Sequence, residues 1–126
     1  MLKNFLIVVN DIERSKVFYR DLFGLLVVKD FGENVILTEG LVLQEKKCWE
    51  RLIGQESAPG NCDAELYFEE RNLDAFIEKL ENYEYPIKYL NRCMKHDWGQ
   101  RVIRFYDPDG HVIEVGEPMD LWDGEK

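Results

Sequence analysis

The stretch Arg101-Val102-Ile103-Arg104-Phe105-Tyr106-Asp107-Pro108-Asp109-Gly110-His111-Val112-Ile113-Glu114-Val115 reads as two strands joined by a turn. Pro108 stands second and Gly110 fourth in Asp107–Gly110, which suits a type I turn or a slightly longer hairpin loop. Alternation predicts that Ile103, Phe105, Ile113 and Val115 face a helix, leaving Val102, Arg104, Val112 and Glu114 on the other side. Working backwards, Pro86–Leu90 and Ala64–Glu69 read as further strands. Between them Leu73, Phe76, Ile77 and Leu80 form a helical stripe after the N-cap candidate Asn72. The second half of the chain is therefore strand, helix, then three strands.

The first half repeats that order. Asn4–Val9 is a buried strand, Asn10 or Asp11 caps a helix carrying Val17, Phe18, Leu22 and Phe23, and Gly24 sits at its C-terminus. Leu25–Lys29, Asn34–Thr38 and Leu41–Glu45 supply three strands. The expected organisation is one α+β domain over residues 1–126. Module one runs to about residue 47, a linker over about 48–62, module two over about 63–118, and a tail over 119–126. Within the linker, Cys48, Trp49, Leu52 and Ile53 suit one or two amphipathic turns. Copies of about fifty residues are too small to stand alone comfortably, so the two should pack together.

Sixteen Lys and Arg against 25 Asp and Glu give a net charge of −9, which argues against nucleic acid and anionic membranes as partners. The excess is local: residues 1–62 hold nine acids and eight bases, 63–126 sixteen and eight. Cys48, Cys62 and Cys93 show neither disulfide-framework nor metal-type spacing, and the run Phe5–Val9 is too short for a signal or a span. A cytoplasmic location is expected.

Asn10–Ser15 with Phe18–Leu25 resembles the first strand-to-helix segment of the glyoxalase / bleomycin resistance protein / extradiol dioxygenase (vicinal oxygen chelate, VOC) superfamily. Trp98–Arg101, Phe105–His111 and Ile113–Val115 resemble its C-terminal hairpin. The likeness covers roughly residues 2–117. It implies two βαβββ modules curling a mixed sheet around a cavity, a small-molecule ligand or substrate, and a homodimer. In metal-dependent members each module gives one ligand from its first strand and one from its last, commonly His or Gln, Glu, His and Glu. Those positions fall at Asn4, Gln44, Glu65 and Glu114. Only Glu114 keeps a usual ligand. An all-oxygen set suits a divalent Mg²⁺, Mn²⁺ or Ca²⁺ better than Zn²⁺, and an ordinary Ni²⁺ or Zn²⁺ glyoxalase I is not expected.

Parity brings Glu65, Tyr67, Arg104 and Glu114 together without any appeal to family. Glu114 is then either a metal ligand or general base, or a carboxylate neutralised by Arg104. His96, next to Asp97, is either an acid–base group or an exposed loop histidine. His111 has the parity of Ile113 and points away from Glu114. Tyr19, Trp49, Tyr67, Trp98 and Tyr106 are candidates to line a pocket for a flat ligand, Trp98 above the others. Two functions stay open: a binding protein for an aromatic or apolar molecule with no His-containing metal site, or a metal-assisted lyase, isomerase or dioxygenase using Glu114. The apolar tail residues Met119, Leu121 and Trp122 are expected to dock on the body or on a second subunit.

Overall fold

The computed structural model describes residues 1–57 and 64–121; Cys62 and Trp122 lie outside them. Contacts divide the chain into two compact units, Met1–Asn61 and Cys62–Lys126. In the first unit the order is β1 (Phe5–Val9), α1 (Ile12–Phe23), β2 (Val27–Asp30), β3 (Asn34–Leu37), β4 (Leu41–Glu45) and α2 (Lys46–Ile53). The second contains β5 (Glu65–Glu69), α3 (Leu73–Glu81), β6 (Tyr89–Lys95), β7 (Arg101–Tyr106) and β8 (Val112–Gly116). Each unit holds a four-stranded mixed sheet, ordered β1-β4-β3-β2 in one and β5-β8-β7-β6 in the other. In both, the first strand runs parallel to the last, while the remaining pairs are antiparallel. The duplication inferred from pattern is thus a duplication of topology.

Local chemistry explains where the helices begin and end. Asp11 accepts from the Arg14 amide at 3.1 Å, and Asn72 accepts from the Ala75 amide at 3.0 Å, so each satisfies a donor of the first turn. Gly24 closes α1 in the left-handed region (φ 69°), which glycine enters without a Cβ penalty. In unit one the core is built on Ile7, Val9, Phe18, Tyr19, Leu22, Val35 and Leu43. In unit two Leu73, Phe76, Leu80, Ile103, Phe105, Ile113 and Val115 are buried, with the Phe76 and Phe105 rings 6.2 Å apart. That contact places Phe105 on the helix side of its strand, as alternation requires.

The segment expected to form one or two amphipathic turns is the eight-residue helix Lys46–Ile53, whose N-cap Glu45 accepts from the Cys48 amide at 2.8 Å. Glutamate is not among the favoured N-caps, so the start signal was weak. One expectation needs correction: the strand expected at Pro86–Leu90 lies instead at Tyr89–Lys95. Pro86 has no amide to give a ladder, and pairing begins where Tyr89 meets Phe105. The strand's polar residues Asn91, Arg92 and Lys95 suit a sheet edge. At the Asp107–Gly110 turn, the Gly110 amide donates to the Asp107 carbonyl at 3.0 Å, and the Asp107 side chain accepts from Asp109 and His111 amides at 2.9 Å. In the tail, Asp120 is gripped by the Arg71 fork at 2.9 and 3.3 Å, while Leu121 keeps 37% exposure.

Candidate functional site

The register of unit two sets one transverse row of side chains across all four strands. Tyr67 on β5 pairs with Glu114 on β8, Glu114 pairs with Arg104 on β7, and Arg104 pairs with Asn91 on β6. Because β8 lies between β5 and β7, Glu114 is the centre of the row and only 7% exposed. A carboxylate so buried needs a cation and hydrogen bonds. Arg104 supplies the cation: its Nη2 stands 3.1 Å from Glu114 Oε1, its Nε 3.9 Å from Glu65 Oε1, and its Nη1 donates to Asn91 Oδ1 at 3.2 Å. Glu65, Tyr67, Arg104 and Glu114 therefore converge as alternation predicted.

Loss of water around the Glu65 carboxyl pushes its pKa above the usual carboxylate range, the neighbouring Glu114 carboxylate adds to this, and Arg104 opposes it. A raised acid binds its proton more tightly in the folded chain than in the unfolded one. Its ionisation therefore costs stability at pH values above the raised pKa, and this cost disappears as pH falls below the unfolded value. Glu65→Gln is accordingly expected to be more stable than the parent near neutral pH, with the difference closing toward pH 4. Urea unfolding of both proteins across that range measures it; a difference that widens as pH falls would refute the assignment.

A second set of contacts adjoins the row. Tyr67 Oη donates to Glu69 Oε2 at 3.2 Å and accepts from Gln100 Nε2 at 2.9 Å. Gln100 Nε2 also donates to the Glu117 carbonyl at 3.1 Å, and Gln100 Oε1 accepts from Trp98 Nε1 at 3.2 Å. Burial pushes the Tyr67 phenol above its ordinary pKa, so it stays a neutral hydroxyl at physiological pH. Trp98 is 51% exposed and Tyr67 45%, and the His96 ring stacks on Trp98 at 4.1 Å and 18°. His96 sits in the β6–β7 loop, closed by His96 N to Gln100 O at 2.8 Å and Gly99 N to His96 O at 2.9 Å. Its neighbour in space is the Trp98 ring, and it stands outside the Glu114 row.

The other candidates lie elsewhere. Gln44 is buried, but its Oε1 accepts from Asn34 Nδ2 at 2.7 Å and its Nε2 donates to the Glu33 carbonyl at 3.1 Å. Gln44 pairs with Val8 on β1 and Asn34 on β3, and Asn4 stands exposed before β1. Tyr19 is fully buried between Phe18 and Phe23 and offers no ligand surface. Cys48 and Cys93 are free thiols.

These donors do not fit a transition-metal centre of the His-containing kind. A guanidinium engages the one retained ligand, an amide engages Gln44 Oε1, and among the described residues no three His, Cys, Asp or Glu side chains are grouped to hold an ion. Asn91 and Gln100 escaped the sequence reading. Asn91 fell outside the misplaced strand, and Gln100 lies in a loop where alternation gives no facing.

A duplicated βαβββ topology with a polar row on the last strand defines the class. The chain belongs to the glyoxalase-like domain family, whose model matches residues 2–120. It is 36% identical to a protein of unknown function from Agrobacterium tumefaciens str. C58, with 94% of each chain covered and a TM-score of 0.77. The YraH protein of Bacillus subtilis (strain 168) is 28% identical over 119 residues, covering 86% of this chain and 91% of that one. A glyoxalase/bleomycin resistance protein/dioxygenase from Nocardioides shares the fold at 18% identity and a TM-score of 0.77, with 96% of this chain and 85% of that one covered.

Proposed function

We propose that this protein binds a small aromatic or apolar molecule on the Tyr67–Trp98 face of unit two, without a His-containing metal site. The observation that carries this reading is the division of labour on that face. The buried Glu114 and Gln100 and the part-buried Arg104 are engaged with one another or with neighbouring protein groups, while the two aromatic side chains beside them remain about half exposed. Exposed Tyr and Trp give large, stiff contact area, and a few fixed polar groups give orientation, which is the usual chemistry of a small-molecule site. Glu114 in this reading is a structural carboxylate held by Arg104. Glu65 and the Tyr67 hydroxyl supply the polar contacts to the ligand.

Membership in the glyoxalase-like family supports a small-molecule ligand, without specifying its kind. The protein is further proposed to act in the cytoplasm as a homodimer. Val27, Val28 and Phe31, on and beside the edge strand β2, are 44%, 61% and 63% exposed, which suits a second copy more than water. A ¹H–¹⁵N titration with a library of aromatic and aliphatic fragments tests the binding reading. Perturbations gathered on Tyr67, Trp98, Arg104 and Glu114 are expected; binding confined to unit one would overturn it.

A further inference from the structure

Gln100 is 5% exposed, and its amide is used to capacity on the nitrogen side. Both Nε2 hydrogens are spent, one on Tyr67 Oη at 2.9 Å and one on the Glu117 carbonyl at 3.1 Å. Its oxygen takes the Trp98 indole N–H at 3.2 Å. The orientation of this amide is chemically forced. An indole can only donate and a carbonyl can only accept, so turning the amide over would oppose two donors at Trp98 and two acceptors at Glu117.

Room for the amide comes from the row next to Glu114. There Glu69 pairs with Gly116, and Gly116 pairs with Val102. A Cβ at Gly116 would stand 2.5 Å from Gln100 Nε2, closer than packed atoms allow, and a tight 3.1 Å from Tyr67 Oη. The missing side chain of β8 is thus replaced by an amide from the β6–β7 loop.

We infer that Gln100 is the positioning residue of the proposed site, locking Trp98 and Tyr67 as two aromatic walls against which a flat π-bearing ligand stacks. This rests on the small-molecule reading above. His96 covers one face of Trp98 at 4.1 Å, and the hydrogen bond from Nε1 fixes the rotation of the ring about its stem. A half-exposed Trp without that bond would sample several rotamers and would have to be ordered by the ligand. Preorganisation removes that cost. The shape selected is flat, because stacking needs a π-face whereas simple burial does not.

The test compares 2-naphthol with trans-2-decalol, a saturated two-ring alcohol of similar size, on the parent chain, Gln100→Leu and Gly116→Ala. Binding is read by ¹H–¹⁵N spectra, with the Trp98 indole N–H as reporter. In both variants the Trp98 indole signal should move or broaden and 2-naphthol should bind about tenfold more weakly, while trans-2-decalol changes little. Should Gln100→Leu fail to fold, Gly116→Ala carries the same comparison with the Gln100 amide chemically intact. Equal 2-naphthol affinity in a folded variant, or equal losses for both alcohols, would overturn the positioning role and leave the binding reading intact. Absence of 2-naphthol binding at Trp98 and Tyr67 in the parent would overturn both.

Discussion

Replacing Arg104 by Met is expected to destabilise the chain by about 3 kcal/mol at neutral pH, because it leaves the Glu114 carboxylate buried without its cation. The value sits at the low end for a broken buried pair, since the Arg104 side chain is itself 23% exposed and water can approach from its side. The loss has a specific signature. Glu114→Gln placed in the Arg104→Met background removes the stranded charge and should recover most of the stability. Urea denaturation of the parent, both single variants and the double variant closes the cycle. A double variant no more stable than Arg104→Met would show that Glu114 is not the group Arg104 neutralises.

Phe105→Ala should cost about 4 kcal/mol, the usual scale for emptying a fully buried ring site. Phe105 lies between Arg104 and Tyr106 on β7 and packs toward Phe76 of α3, on the opposite side of the sheet from the Glu114 row. The substitution therefore loosens the floor of the site without touching its polar contacts. A loss of this size is a large part of the roughly 5–15 kcal/mol that holds a typical domain folded. Thermal unfolding should show a clearly lowered midpoint. A change under about 1 kcal/mol would mean that the α3–sheet contact is not part of the cooperative core.

Most of the fold was legible because each unit obeys two simple periods. Alternation in Arg101–Tyr106 and Val112–Val115 assigned two faces; the Phe76–Phe105 contact marks the helix side, while Val102, Val112 and Glu114 on the other side are buried too. Caps were readable where the residue type was a strong one, as at Asp11, Asn72 and Gly24. They were not readable at Glu45, so the helix after it was read from its apolar spacing without a defined start. The edge strand Tyr89–Lys95 was misplaced because its polar residues carry no apolar alternation, and its pairing with β7 slips register twice.

The site was legible to the same degree and for the same reason. Glu65, Tyr67, Arg104 and Glu114 sit on regular strands, so parity alone gathers them. Gln100 sits in a loop, and its role depends on the absence of a side chain at Gly116, sixteen residues later and on another strand. Such a complement between a missing Cβ and a distant amide is a property of three dimensions.

The central claim is that this glyoxalase-like chain holds a small organic molecule where a guanidinium, rather than a transition metal, balances the retained carboxylate. Native mass spectrometry of protein purified without chelator, paired with elemental analysis, tests it most directly. Less than stoichiometric transition metal is expected, with a noncovalent small-molecule adduct that Gln100→Leu weakens. One tightly bound Zn²⁺, Ni²⁺ or Fe²⁺ per chain, lost on Glu114→Gln, would contradict it.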